Sequence, residues 1–209
     1  MENTLRRFRA KDYEPRGSNG RIAVPLALIG ADVTIFDISS ENKRHAMELA
    51  ACAGVELVYE VYDFCEGPMD KSGDTFGIAC AEGGILHYFH DIDKFMSTLC
   101  SIQKSGGKLI LSHFHPFRKI LRTGSTMTNV RQTKGYYFDS RIHNGDLANK
   151  QFFSKDEQIK FPDVSMYFYT VSEMVNAMVK AGFALKEFNE HPNFEDKLLT
   201  SESTIYAAK

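Results

Sequence analysis

The chain has 209 residues, 43% of them hydrophobic and 25% charged, with a formal net charge of -2. This length suits one domain with a substantial core, spanning residues 1–209, and the ordinary composition excludes a disordered or fibrous chain. Near-neutral charge argues against nucleic acid as the main partner, since the one small basic cluster is Leu5-Arg6-Arg7-Phe8-Arg9. No apolar run approaches the roughly twenty residues that span a bilayer. The polar start Met1-Glu2-Asn3-Thr4 is no signal-peptide core. A cytoplasmic protein with no membrane partner is therefore expected. Cys52, Cys65, Cys80 and Cys100 form no C-x-x-C pair and read as reduced, structural thiols.

From Gly17 onward helical and strand-like segments alternate, the pattern of a parallel sheet covered by helices. The spacing predicts a helix from Arg21 to Ile29, ended by Gly30, and a short strand at Val33-Thr34-Ile35-Phe36 that stops at Asp37. Ser39 or Ser40 can cap a second helix, Glu41 to Ala53, with Gly54 as its stop. Val55 to Tyr62 and Phe76 to Ala81 read as buried strands. Asp91 to Lys104 carries Ile92, Phe95, Met96, Leu99 and Ile102 at amphipathic-helix spacing. Ser105-Gly106-Gly107 ends it, and Lys108 to Leu111 starts another strand. Residues 116–169 are polar and dotted with aromatics, too long for an ordinary connection, and read as a lid or substrate-binding insertion. Val171 to Ala181 returns to helical spacing, and Phe183 to Phe188 and Ser203 to Ala208 are expected as an antiparallel pair closing the sheet.

Gly17-Ser18-Asn19-Gly20-Arg21 before a helix, then Gly30-Ala31-Asp32, a strand and Asp37-Ile38-Ser39, resemble the opening of class I S-adenosylmethionine-dependent methyltransferases. The resemblance continues at Asp63, at Leu86-His87-Tyr88-Phe89 and at Ser105-Gly106-Gly107-Lys108-Leu109. It implies a doubly wound, mainly parallel α/β sheet of the seven-stranded, Rossmann-like type with an antiparallel C-terminal strand. It also implies S-adenosylmethionine as cofactor and a small-molecule methyl acceptor. The sequence departs from the family before the glycine turn. Ala10-Lys11-Asp12-Tyr13-Glu14-Pro15-Arg16 does not read as a central strand, and Arg16 stands where the family has its first glycine. The first strand is accordingly expected to be missing, with a break between about Ala10 and Gly17.

Ligands in such sheets sit outside the carboxyl ends of the strands. A turn holding Gly17, Ser18, Asn19 and Gly20 lets a ligand approach backbone without meeting a Cβ. Asp37, about seventeen residues after Gly20, is placed to accept from both hydroxyls of a ribose, with Ile38 beside it. By resemblance, Asp63 accepts from an adenine amino group and Phe64 walls the ring. Glu82 and Gly83 follow the fourth strand, near where methionine portion and acceptor meet, and Glu82 is a candidate base or amine partner.

Methyl transfer is an in-line displacement that needs alignment and exclusion of water. A histidine suits removal of an acceptor proton, and His115 is the first candidate, His113 the second. Tyr136, Tyr137, Phe138, Phe152 and Phe153 are candidate specificity residues. A nicotinamide-dependent oxidoreductase is the rival enzyme, opposed by the absence of G-x-G-x-x-G spacing, and a non-catalytic methyltransferase-like binding module is the rival outside enzymes. His87, His90, His113 and His115 lie near strand ends, but no cysteine pair or H-E-x-x-H motif completes a metal site, and no metal is expected.

Overall fold

Backbone pairing decides the centre of the sheet more than hydrophobic content does. The computed structural model describes residues 11–15, 18–67, 75–117, 136–145, 154–159, 164–192 and 200–209. Strand β1, Lys11–Pro15, runs parallel to β2, Asp32–Asp37, with Lys11 opposite Asp32 and Pro15 opposite Phe36. On its other side it pairs with β4, Phe76–Ala81, through Asp12 with Ile78 and Tyr13 with Ala79. The expectation that the first strand is missing is thereby corrected. A ladder is built from N–H and C=O groups, which every residue but proline carries in full, and Pro15 occupies the last position, where a missing donor costs least. The junction at residues 16–17 lies outside the described residues, and so does Gly17.

Helix α1, Ala23–Leu28, and α2, Ser40–Ala53, flank β2 in sequence, and β3, Val58–Val61, pairs parallel with β2. The Ser39 hydroxyl accepts from the Asn42 amide at the start of α2, and Gly54 closes its end with φ 68°. Helix α3, Ile92–Ile102, is capped by Asp91 and leads into β5, Gln103–Phe114. The helix thus ends two residues before the expected Lys104. Gly106, at φ 75°, sits within β5, and the Gln103 amide donates to the Lys108 carbonyl at 2.8 Å across the irregularity.

The expected insertion contributes β6, His143–Gly145, and β7, Val164–Met166, an antiparallel pair, and a short helix α4, Lys155–Gln158. Helix α5, Val171–Ala181, starts with a reciprocal capping box between Thr170 and Glu173 and ends at Gly182. Strands β8, Ala184–Pro192, and β9, Thr200–Ala208, close the sheet antiparallel as expected, in the order β3-β2-β1-β4-β5-β9-β8. No helix among the described residues is long and apolar enough to cross a membrane.

Two cores cover the sheet. Ala23, Val33, Ile35 and Ala46 join β2 to α1 and α2, whereas Phe95, Met96, Leu99, Leu109, Leu111, Met174 and Ile205 join α3 and α5 to β5 and β9. Each such buried aliphatic or aromatic side chain contributes about 1.5–3 kcal/mol.

Close packing between α2 and the turn before α1 rests on Gly20, whose φ is 80° and whose added Cβ would lie 2.9 Å from the Ala46 Cβ. Gly20→Ala should therefore destabilise the protein by roughly 1–3 kcal/mol through left-handed strain and the clash together. Urea unfolding measures it, and an unchanged midpoint would mean that the turn relaxes freely.

Candidate active site

The register brings the strand ends to one edge. Asp37 pairs with Val61 at the ends of β2 and β3, Ala81 pairs with Leu111 where β4 ends, and β5 carries on to His113 and Phe114. The turn before α1 opens at the same edge, since β1 ends opposite Phe36. This is the side on which a doubly wound sheet takes its ligand.

Asp37 is the hub of the turn. Its side chain is buried, and Oδ2 accepts from the Ser18 amide at 3.2 Å while Oδ1 accepts from the Ser39 amide at 2.9 Å and the Asn42 side-chain amide at 3.4 Å. From β3, the Tyr59 hydroxyl donates to the Ser18 carbonyl at 2.7 Å, so Ser18 is gripped at both its backbone groups. That double hold explains why a non-glycine residue keeps φ at 49° there. Asn19 is exposed and Gly20 buried beneath it. Sequence reasoning missed Tyr59, which is one of several aromatic residues in strand-like segments and has no motif of its own.

Next to this hub, Phe36, Asp37, Ile38, Tyr62, Asp63, Phe64 and Phe89 line a cleft of about 330 Å³, counting space open to solvent. Phe64 is buried and packs 5.7 Å from Phe36 and 5.6 Å from Phe95 between ring centroids, which makes a rigid wall. Ile38 is 65% exposed, an apolar face left open at the mouth. Asp63 spends one oxygen on its own loop, Oδ1 accepting from the amides of Cys65 at 2.8 Å and Glu66 at 3.2 Å. Its other oxygen has no hydrogen-bond partner among the described residues. Burial and neighbouring Asp63 push the Cys65 thiol up to about 12, so it stays protonated and inert beside the cleft.

On the β4–β5 side, Glu82 is exposed directly after Ala81. Gly83 has φ 77° with open space where a Cβ would stand. Gly84 is closely packed, and a Cβ there would come within 2.6 Å of the Phe114 ring. The 3₁₀ turn Ile85–Tyr88 sets the buried His87 ring 4.7 Å from His113 and 4.8 Å from Phe168 between centroids. His113 is buried, its Nδ1 has no partner among the described residues, and burial, aided by His87 and His115, holds its pKa well below the usual imidazole value. From sequence, His87 is part of the Leu86-His87-Tyr88-Phe89 segment and a strand-end histidine, with no partner assigned to it.

His115, the first candidate base, has a neighbour at each nitrogen. Nδ1 accepts from the Phe117 amide at 3.2 Å, and Nε2 lies 2.9 Å from Glu190 Oε1, though off the line of an ideal hydrogen bond. Burial lowers its pKa and Glu190 partly restores it. Among the specificity candidates, the Tyr137 hydroxyl accepts from the Val171 amide at 3.1 Å, Tyr136 and Phe138 are exposed, and Phe152 and Phe153 lie outside the described residues. Among the described residues no group of three His, Cys, Asp or Glu side chains is arranged to hold a metal ion.

The buried neutral His113 makes stability depend on pH. An unfolded histidine binds a proton near pH 6.5 and the folded one does not, so stability is complete above that pH and declines as pH falls below it. Unfolding free energies measured from about pH 7 down to about pH 5 should fall less steeply in His113→Gln than in the parent. Parallel curves would mean that His113 charges freely in the folded state.

Residues 17–111 match the family model described as Methyltransferase domain. A structure of an S-adenosylmethionine-dependent methyltransferase from Mesorhizobium loti superposes with a TM-score of 0.70 at 18% identity, covering 96% of this chain and 91% of that one. The Burkholderia thailandensis 1,6-didemethyltoxoflavin-N1-methyltransferase, solved with 1,6-didemethyltoxoflavin and S-adenosylhomocysteine bound, superposes with a TM-score of 0.62 at 14% identity, covering 96% of this chain and 71% of that one. At such identities the likeness is one of fold. An uncharacterized protein of Mycobacterium tuberculosis is 26% identical over 165 residues, the match covering 66% of this chain. The chain spans 57% of that relative's length. The family match ends at Leu111, so His113 and His115 lie just beyond it.

Proposed function

We propose that this chain binds S-adenosylmethionine in the cleft between Asp37 and Phe64 and transfers its methyl group to a small-molecule acceptor held on the β4–β5 side. The observation that carries the reading is Asp37, a buried carboxylate that both shapes the glycine turn and faces the cleft. The residues present fit the cofactor. Asp37 would hold the ribose hydroxyls, with Ser18, Asn19 and Gly20 giving backbone for the methionine portion. The open oxygen of Asp63 would take the adenine amino group, and Ile38 and Phe64 the two faces of the ring. Glu82 and Gly83 would meet the methionine portion.

When bound, the cofactor supplies a methyl group on a sulfonium, ready for in-line displacement. The chain's own task is to align the acceptor, exclude water and take its proton. His113 is the favoured base, because its Nδ1 has no partner among the described residues, whereas His115 Nδ1 takes the Phe117 amide and its Nε2 lies 2.9 Å from the Glu190 carboxylate. Glu82 is the second choice, and His115 helps fix the edge of β5 through Glu190. The described residues 136–145 and 164–169 would lie over the acceptor. This placement is supported by the Tyr167 amide, which donates to the His87 carbonyl at 2.8 Å. Free cysteines and near-neutral charge favour work in the cytoplasm without nucleic acid or membrane.

The test is transfer of radiolabel from methyl-labelled S-adenosylmethionine into the small-molecule fraction of a metabolite extract. Label should appear there only with the protein present. Its appearance in nucleic acid or protein instead would contradict the acceptor class.

A further inference from the structure

The apolar rows that join β5 to β9 stop at one position. Leu109 stands opposite Ala207 and Leu111 opposite Ile205, all four buried in the larger core. One step further along the same face, His113 stands opposite Ser203. Both are buried, and His113 Nδ1 and Ser203 Oγ each lack a hydrogen-bond partner among the described residues. Directly opposed residues on one face of an antiparallel pair have Cβ atoms about 4.5–5.5 Å apart. Two orphaned polar groups thus lie side by side where an apolar pair would have cost nothing. A buried polar group without a partner is costly and calls for a ligand atom or an ordered water to complete it.

We infer that His113 and Ser203 form the acceptor subsite and hold one uncharged hydroxyl, so that the enzyme is an O-methyltransferase. This rests on the methyltransferase reading above. The pair offers what a hydroxyl needs: a lone pair on a neutral imidazole to receive its proton, and a serine O–H to donate to its oxygen. Charged groups fit poorly. The influences on His113 are burial, His87 and His115, with no carboxylate among them, and Glu190, across Ser203 on β8, is in contact with His115. A bound carboxylate would find no counter-charge among these groups, and an ammonium carries no lone pair to receive the methyl group. In the reaction the acceptor oxygen forms its bond to the methyl carbon while the carbon–sulfur bond breaks. The bond pair stays on sulfur as a thioether, and the acceptor proton passes to His113 Nδ1 and then to water.

The experiment uses S-adenosylmethionine carrying a ¹³C methyl group, offered with the matched pairs phenol and aniline, cyclohexanol and cyclohexylamine, and with a small-metabolite extract. The ¹³C shift of the new methyl group identifies the atom that received it. Label on oxygen is expected. Ser203→Ala should lower turnover at least tenfold, leave cofactor affinity unchanged, and keep or raise the melting temperature, because it removes a hydroxyl that the fold does not bond. Label on nitrogen, carbon or sulfur overturns the inference. So does a Ser203→Ala variant with parental turnover or a lowered melting temperature, since the hydroxyl would then be a structural group. A parent protein that binds S-adenosylmethionine but yields no O-methyl product defeats this inference alone. Failure to bind S-adenosylmethionine defeats the methyltransferase reading, and this one with it.

Discussion

Asp37→Ala is expected to weaken S-adenosylmethionine binding by at least tenfold. Two charge-assisted hydrogen bonds to a ribose, at roughly 1.5–3 kcal/mol each, would be lost, and each 1.4 kcal/mol is about a factor of ten. A second loss comes from the turn itself. Asp37 Oδ2 holds the Ser18 amide and Oδ1 the Ser39 amide, so removing the carboxylate frees the segment that presents backbone to the ligand. Because these amides are also left without a partner, Asp37→Ala should lose stability too, and Asp37→Asn is the necessary companion. The asparagine oxygen can keep one amide bond while the charge is gone, so its affinity should fall between parent and alanine variant. Calorimetric titration with circular dichroism as a fold control measures both. Parental affinity in a folded Asp37→Asn and Asp37→Ala would leave Asp37 as a turn residue only.

The second large effect is on turnover. His113→Gln should lower kcat by roughly a hundredfold, the size of a general-base contribution, with cofactor affinity nearly unchanged. The pH profile gives a sharper test than the rate alone. The base must be unprotonated, and burial holds the His113 pKa well below 6.5, so parental kcat should be flat through neutrality and fall only in acid. That acid limb should vanish in His113→Gln. If the variant turns over at the parental rate, the base lies elsewhere, and exposed Glu82 is the next residue to replace.

Much of the fold could be read from sequence because its signals are local. Asp91 and Thr170 cap α3 and α5, Gly54 and Gly182 end α2 and α5, and the apolar run Phe76–Ala81 is a strand between two strands. Asp37 and Asp63 both line the cleft, the first as the last residue of β2 and the second two residues past the end of β3. Lys11–Pro15 escaped because its membership in the sheet rests on backbone pairing with β2 and β4, which side-chain character does not report. Tyr59 and Ser203 escaped for a related reason. Each matters through a partner distant in sequence, Ser18 for the first and His113 for the second, and only strand register brings them together. Sequence likewise cannot show that the Phe117 amide and Glu190 lie against the His115 ring.

The central claim, an S-adenosylmethionine site at the carboxyl edge of β2 and β4, is tested most directly by calorimetric titration of the unmodified protein with S-adenosylmethionine and, separately, with NAD. The account predicts saturable binding of S-adenosylmethionine with one site per chain and no heat of binding from NAD. Binding of NAD with none of S-adenosylmethionine would contradict it.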